Sequence, residues 1–384
     1  MAITKLTTAS ISDDAITADK VSAGVLPINF RNIIINGDMS LAQRSTSVTG
    51  LTGNGYSTCD RFKQEISSMG TWTQSQSTTV PSGQGFATSL KMDCTTADAS
   101  PAASDYIYIT QKIEGQNLQY LKKGTSSAES TTLSFWVRSN KTGTYIARLR
   151  DADNTRSTSK SYTISSADTW EKKTITFDGD TTGTLNNDNG TSLQLYFYLG
   201  AGSNYTSGTL ATSWEANTNA NNAVGQVNLA DSTSNEWYIT GVQLEAGTSA
   251  SDFEFLPHDV NLRRCQRYYA VVADRRTSGV NPVRDQVSIG IGTTHYPNQV
   301  SVQLQFPTEM RAVPSLDQAT GTDYYQYYHE TTGDNFNSFN SIGGDGVTAM
   351  TVRNTNQISA SHGISGTVDA VSSGNSYVAL EAEL

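Results

Sequence analysis

The sequence predicts an all-β protein, and three observations carry that reading. Charged residues make up only 16% of the 384-residue chain and hydrophobic residues 36%, so neutral polar groups must cover most of the surface. Ser, Thr, Asn, Gly and Gln supply that cover, and their side chains compete for backbone hydrogen bonds, which disfavours helices. Short runs rich in Thr, Tyr, Val, Ile and Phe recur between turns of Gly, Asn, Asp and Ser, the pattern of strands in a sandwich. No fixed-period repeat and no heptad pattern offers another architecture. A chain this long is expected to form two or three domains. The expected order is an N-terminal extended anchor, a jelly-roll β-sandwich, a short linking helix and a smaller C-terminal β-sandwich.

Residues 1–29 contain no aromatic residue, and Ile11, Ile16, Val21 and Val25 fall four or five apart. That spacing suits neither a helix nor a strand. The segment is too polar to bury a core, so it is either a floppy tail or an anchor that orders against another protein. Residues 30–258 read as one jelly-roll domain. Its first strand is FRNIIIN, stopped by the turn signal Asn36-Gly37-Asp38. Further strands follow in CDRFKQEI, GTWTQSQS, ATSLKMDC, DYIYITQKI, STTLSFWVRS, GTYIARLRD, KSYTIS, WEKKTITFDG, TSLQLYFYLG and EWYITGVQLEA. NLQYLKKG reads as a short helix or a loop, and the polar stretch 214–237 as a long loop. Pro257 marks a boundary. Val260, Leu262, Cys265 and Tyr268 or Tyr269 lie near helical spacing after it, with Asp259 as N-cap. The final domain, 259–384, enters by that helix and continues as strands, DYYQYYHE and VTAMTVRN among them.

The net charge of −10 and pI near 4.9 come without a basic patch long enough to grip phosphates, which excludes nucleic acid as a partner. No apolar run reaches the length of a membrane span. The N-terminus lacks the hydrophobic core of a signal peptide, although the composition is that of an extracellular surface. Synthesis in a host cytoplasm with release by lysis reconciles the two, as does a missing propeptide. Cys59, Cys94 and Cys265 show neither metal-ligand nor disulfide spacing and read as buried thiols. His258, His295, His329 and His362 share no zinc spacing. The carboxylate pairs Asp60 with Glu65, Asp151 with Asp153, and Asp252 with Glu254 could in principle serve glycan cleavage. RDADNTRS, however, reads as a hairpin loop, and no nucleophile elbow or phosphate loop is present. The chain is therefore expected not to be an enzyme and to need no cofactor.

Aromatic residues are the remaining candidates. Trp72, Trp214, Tyr196, Tyr198 and Tyr205 are candidates for stacking on sugar faces, while Trp136 and Trp170 are assigned to the core. In LQLYFYLG, Tyr196 and Tyr198 share one face of a strand and Phe197 takes the other; the tyrosine pair either packs between sheets or faces outward. The stretch DYYQYYHE places Tyr324 and Tyr328 on one face and Tyr325 and Tyr327 on the other. These four are candidates for subunit or receptor contact, against ordinary core packing.

The series NIIINGDMSLAQRS, DRF, TLSFWVRSNKTGTY, WEKKTITFDGD and EWYITGVQLEAGTSASDFE, running into NLRRCQRYY and later LQFPTEMRAVPSL, resembles the tail-fibre and receptor-binding proteins of tailed bacteriophages. The opening ITKLTTASISDDAITADKV resembles the starts of fibres from phages of aquatic bacteria, cyanobacteria among them. The resemblance implies a virion protein that assembles as a homotrimer. It would dock to phage tail or adaptor proteins through residues 1–29 and attach to a bacterial surface glycan or protein receptor. A head or neck decoration fibre, or a carbohydrate-binding accessory of a polysaccharide-degrading system, are the alternatives. Residues 30–258 also resemble the jelly-roll carbohydrate-binding modules found beside xylanases, which often open with Asn-Gly-x-Phe-Glu. Here the motif is Asn36-Gly37-Asp38-Met39-Ser40. Ser40 replaces its Glu, and Thr240-Gly241 replace the paired aspartates of the closing strand, leaving Asp38 as an alternative oxygen ligand for calcium.

Overall fold

Alternation of apolar and polar side chains along extended segments dictates two-faced strands, and in a computed structural model these pair into antiparallel sheets throughout. The structure describes residues 30–275, 286–371 and 376–384; the expected docking segment 1–29 lies outside the described residues. The chain divides into two units. The first runs to Ser40 and resumes over Thr46–Phe255; the second takes Leu41–Ser45 together with Leu256–Leu384. The detour of residues 41–45 has no signature in the sequence.

The first unit is a two-sheet sandwich. One sheet orders the strands Ser47–Leu51, Thr71–Ser77, Ser89–Thr96, Glu236–Ala246, Thr131–Ser139 and Glu171–Phe177. The other orders Glu215–Ala216, Arg156–Ile164, Gly143–Asp151, Thr191–Ala201, Tyr106–Glu114, Lys63–Ser67 and Gly55–Tyr56. Their inner faces meet in one apolar core. Phe135 of the first sheet lies edge-on to Phe197 of the second, with ring centroids 5.1 Å apart, and Leu133, Val137, Trp237, Leu193 and Leu195 are buried around them. Each such side chain contributes about 1.5–3 kcal/mol on burial. NLQYLKKG forms 3₁₀ turns, Gly115–Asn117 and Gln119–Leu121. RDADNTRS is the expected hairpin, with Asp151 paired to Arg156.

The run RNIIINGDMS is not the first strand. Its backbone is held partly by side chains and partly by single hydrogen bonds to the strand Glu236–Ala246, where the Ile33 N–H donates to the Leu244 carbonyl at 2.9 Å. The Ile34 N–H donates to Asn32 Oδ1 at 3.0 Å. The Gln111 amide accepts from the Ile35 N–H and donates to the Ile35 carbonyl, at 2.8 and 2.9 Å, mimicking one rung of a ladder. Asn36 and Met39 both adopt left-handed φ of 59°. Gly37 is required by close approach: a Cβ there would lie 2.0 Å from the Val242 carbonyl oxygen. The Val242 N–H donates to the Gly37 carbonyl at 2.8 Å, so the turn is plugged into the irregularity of the strand Glu236–Ala246 that falls between Thr240 and Gln243.

The second unit begins with the helix His258–Gln266. The cap position is Pro257, not Asp259 as expected; Asp259 sits within the first turn, where a carboxylate still complements the helix dipole. A small sheet orders Tyr269–Asp274, Tyr377–Glu381 and Ser315–Gln318, and a larger one Thr332–Phe336, Tyr325–His329, Ser365–Ala370, Val287–Thr293, Val300–Gln305, Ala349–Asn354 and Ser341–Gly343. The tyrosine-rich strand corrects an expectation. Tyr325 and Tyr327 are fully buried in the core, so neither is a subunit or receptor contact. Their hydroxyls are satisfied internally: Tyr325 donates to the Ala319 and Tyr377 carbonyls, and Tyr327 to the Ile364 carbonyl. Tyr324 packs against the same core, and only Tyr328 stands out, 48% exposed. All three cysteines are buried and none forms a disulfide. Burial pushes the Cys94 thiol up to about 11, with Asp93 adding to the effect, and the Cys59 thiol higher still. Among the described residues no helix is long and apolar enough to cross a membrane.

Candidate functional site

The same alternation that sends Phe197 into the core sends its neighbours to the outer face of the seven-stranded sheet of the first unit. Cross-strand register then aligns side chains from successive strands. Tyr198 lies opposite Tyr108, which lies opposite Glu65; Arg148 lies opposite Tyr196, which lies opposite Thr110. The short helix Ser203–Thr206 adds Tyr205, and residues near Asn217 form a wall. Together these line a cleft of about 380 Å³.

Aromatic rings form its floor. Tyr106 stacks on Tyr108 at 5.1 Å, Tyr108 meets Tyr196 and Tyr198 edge-on at 4.9 and 5.2 Å, and Tyr205 meets Tyr106 edge-on at 5.5 Å. Burial, with smaller contributions from Glu65 and neighbouring tyrosines, raises the Tyr108 phenol far above its ordinary value. Burial pushes Tyr198 up to about 12, against an opposing pull from Arg148. These phenols therefore stay neutral and able to donate at any physiological pH. The Tyr108 hydroxyl donates to Glu65 Oε2 at 2.8 Å, and Lys63 pairs with the other oxygen of Glu65 at 2.9 Å. The Tyr196 hydroxyl donates to Gln194 Oε1, which also receives Arg150 Nη1 at 3.4 Å.

Arg148 is the most constrained of the polar groups. It is 4% exposed, lies over the Tyr196 ring at 4.9 Å, and donates from Nη2 to Asn217 Oδ1. Its Nε is buried with no hydrogen-bond partner. A cation–π contact contributes about 0.5–2 kcal/mol, less than the several kcal/mol that burying an ion costs.

The structure sorts the expected contact residues. Tyr196, Tyr198 and Tyr205 come together in the cleft. Trp72 does not: it is fully buried in the core, its indole N–H donating to the Met69 carbonyl at 2.7 Å, and the expectation of a stacking role is corrected. Trp214 is half-buried away from the cleft; its N–H donates to the Asp178 carbonyl, and Lys123 Nζ covers its ring at 3.3 Å. Trp136 and Trp170, assigned to the core, are half-buried and outside it. Tyr106, Tyr108, Arg148 and Arg150 were missed, although DYIYITQKI shows the same two-residue spacing of tyrosines that singled out Tyr196 and Tyr198.

The calcium expectation finds a different chemistry. Asp38 and Thr240 do meet, but the Thr240 hydroxyl donates to the Asp38 carbonyl at 3.3 Å, and the Asp38 carboxylate accepts from Ser40 at 3.0 Å. Among the described residues no three His, Cys, Asp or Glu side chains converge to hold a metal.

No protein-family model matches the sequence, and no curated protein matches it. Among solved structures the chain is similar to the enzymatically active domain of bacteriophage CBA120 tailspike protein 4, at 15% identity and a TM-score of 0.29, over 56% of this chain and 21% of that one. The chain thus spans about a fifth of that protein's length. It is also similar to a protein of Bacteroides thetaiotaomicron, at 12% identity and a TM-score of 0.31, over 56% of this chain and 99% of that one. A third is a xylan-binding domain of Paenibacillus barcinonensis, at 10% identity and a TM-score of 0.25, over 54% of this chain and 99% of that one. At these scores the reading of the cleft rests on its own side chains.

Proposed function

We propose that the cleft on the seven-stranded sheet of the first unit binds glycan, and that the chain is a non-enzymatic adsorption protein of a phage virion. The observation that carries the first part is the juxtaposition of the half-buried rings of Tyr106, Tyr108 and Tyr205, backed by the buried rings of Tyr196 and Tyr198, with amides and guanidinium groups in one concavity. Flat apolar rings with neutral hydroxyl edges suit the C–H faces of sugars, and the convergent polar groups suit their hydroxyls. The second part rests on the ordered series of fibre-like motifs along the sequence. Homotrimer formation and docking by residues 1–29 belong to the same reading.

A binding role is favoured over hydrolysis by the carboxylate inventory. Glycosidic cleavage uses a facing pair of carboxyl groups. Among the described residues Glu65 is the single carboxylate lining the cleft, and Lys63 and Tyr108 already engage it. Array binding of the purified protein to bacterial surface saccharides tests the reading. Tyr108→Ala should weaken binding more than tenfold and reduce competition with virions for host cells, with no new reducing ends released by either protein. Retention of full affinity by Tyr108→Ala would remove the cleft from the account.

A further inference from the structure

The charge of the cleft runs against that of the protein. The chain carries 26 basic and 36 acidic residues, yet the cleft is lined by Lys112, Arg148 and Arg150 with Glu65 as the one carboxylate. Glu65 is committed to Lys63 and Tyr108 at one side. Among the described residues no carboxylate pairs with Arg148 or Arg150; their hydrogen-bond acceptors are the neutral amides of Asn217 and Gln194. Arg148 is nine-tenths buried and more, with Nε unpartnered. Arg148 and Arg150 thus carry positive charge that no carboxylate among the described residues offsets, and a guanidinium's planar fork matches a carboxylate or sulfate through paired hydrogen bonds.

We infer that the glycan is anionic, and that Arg148 and Arg150 receive its charged group while the tyrosine floor takes the sugar ring. This deepens the glycan-binding reading and rests on it. The register fixes the arrangement. Arg148 is opposite Tyr196 and Arg150 is opposite Gln194 on the adjacent strand, so both cations lie on one side of the Tyr108–Tyr198 pair and Glu65 on the other. A saccharide lying across the rings would present its acidic substituent to the arginines and a hydroxyl to Glu65.

The test uses the full chain on an array of neutral oligosaccharides printed beside their uronate, sialate and sulfate-ester counterparts. Anionic members should bind at least tenfold more tightly than neutral ones, and the advantage should shrink with added salt. Arg148→Met, which keeps a side chain over Tyr196 and removes the buried charge, should abolish that advantage, and its melting temperature should equal or exceed that of the wild type. Arg150→Gln provides a second variant whose folding does not depend on a buried site. The uronate and sulfate arms distinguish the two anion chemistries, and either supports the inference. Equal binding of neutral and anionic members, unchanged by Arg148→Met and lost in Tyr108→Ala, would overturn the anionic ligand and leave glycan binding intact. No binding to any member would overturn both.

Discussion

Lys122 and Lys123 are adjacent and chemically identical, yet the fold makes them opposites. Lys122 is exposed and pairs with Glu129 at 2.8 Å. Lys123 is buried beneath the Trp214 ring, 3.8 Å from Asp180, with its Nζ unpartnered by any hydrogen bond. Burial lowers the Lys123 ammonium from 10.5 to about 8, although Asp151 and Asp180 pull the other way. Between these two pH values the folded chain has released the proton that the unfolded chain retains, so the contribution of Lys123 to stability rises with pH through that window. Urea denaturation of the wild type and of Lys123→Met should show it: the wild type gains ~1–3 kcal/mol relative to the variant from pH 8 to pH 10.5. Tyrosine titration affects both proteins alike, and parallel curves would contradict the assignment. Nothing in LKKG distinguishes the two lysines, because burial depends on Trp214, ninety-one positions further along.

At the scale of elements, alternation was the legible signal and capture of backbone by distant side chains was not. The strand Tyr325–His329 turns Tyr325 and Tyr327 inward and Gln326 and Tyr328 outward, as two-residue periodicity requires. Which face is buried depends on the sheet beneath it. Tyr325→Ala should cost the second unit about 3–5 kcal/mol, and Tyr325→Phe about 1–2 kcal/mol, since a ring of the same shape leaves two carbonyls without their donor. Tyr328→Ser should shift stability by less than ~0.5 kcal/mol. Tyr328 and the 73%-exposed Ile291 both lie opposite Thr367, so the Tyr328→Ser, Ile291→Ser double variant is the one expected to weaken a homotrimer, read by light scattering without loss of the thermal transition. The run NIIIN has the composition of a strand but not its structure. Gln111, seventy-six residues away, supplies the hydrogen bonds that a neighbouring strand would have made.

At the scale of the whole molecule, the second unit is assembled from two stretches of sequence. Arg44, from the short stretch, lies over the Tyr269 ring at 3.7 Å and pairs with Glu383 at 3.3 Å and Glu381 at 3.4 Å. Gln43 donates to the Tyr269 carbonyl at 2.8 Å. Arg44→Ala should therefore lower the stability of the second unit by about 1–3 kcal/mol, seen as an earlier thermal transition, even though residue 44 lies more than two hundred positions before the rest of that unit. An unchanged transition would show that the stretch is a passenger. The sequence by itself determined the all-β class, the position of the linking helix near Pro257 and the face shared by Tyr196 and Tyr198, because each follows from local propensity or from a period of two along one strand. Only the tertiary structure decided that Trp72, Tyr325 and Tyr327 are core, that Tyr106, Tyr108, Arg148 and Arg150 join the tyrosine pair in one cleft, and that residues 41–45 belong with the second unit. Those outcomes depend on which strands become neighbours and on which sheet face is covered, and long-range pairing of this kind leaves no trace in the spacing of residues along a single chain.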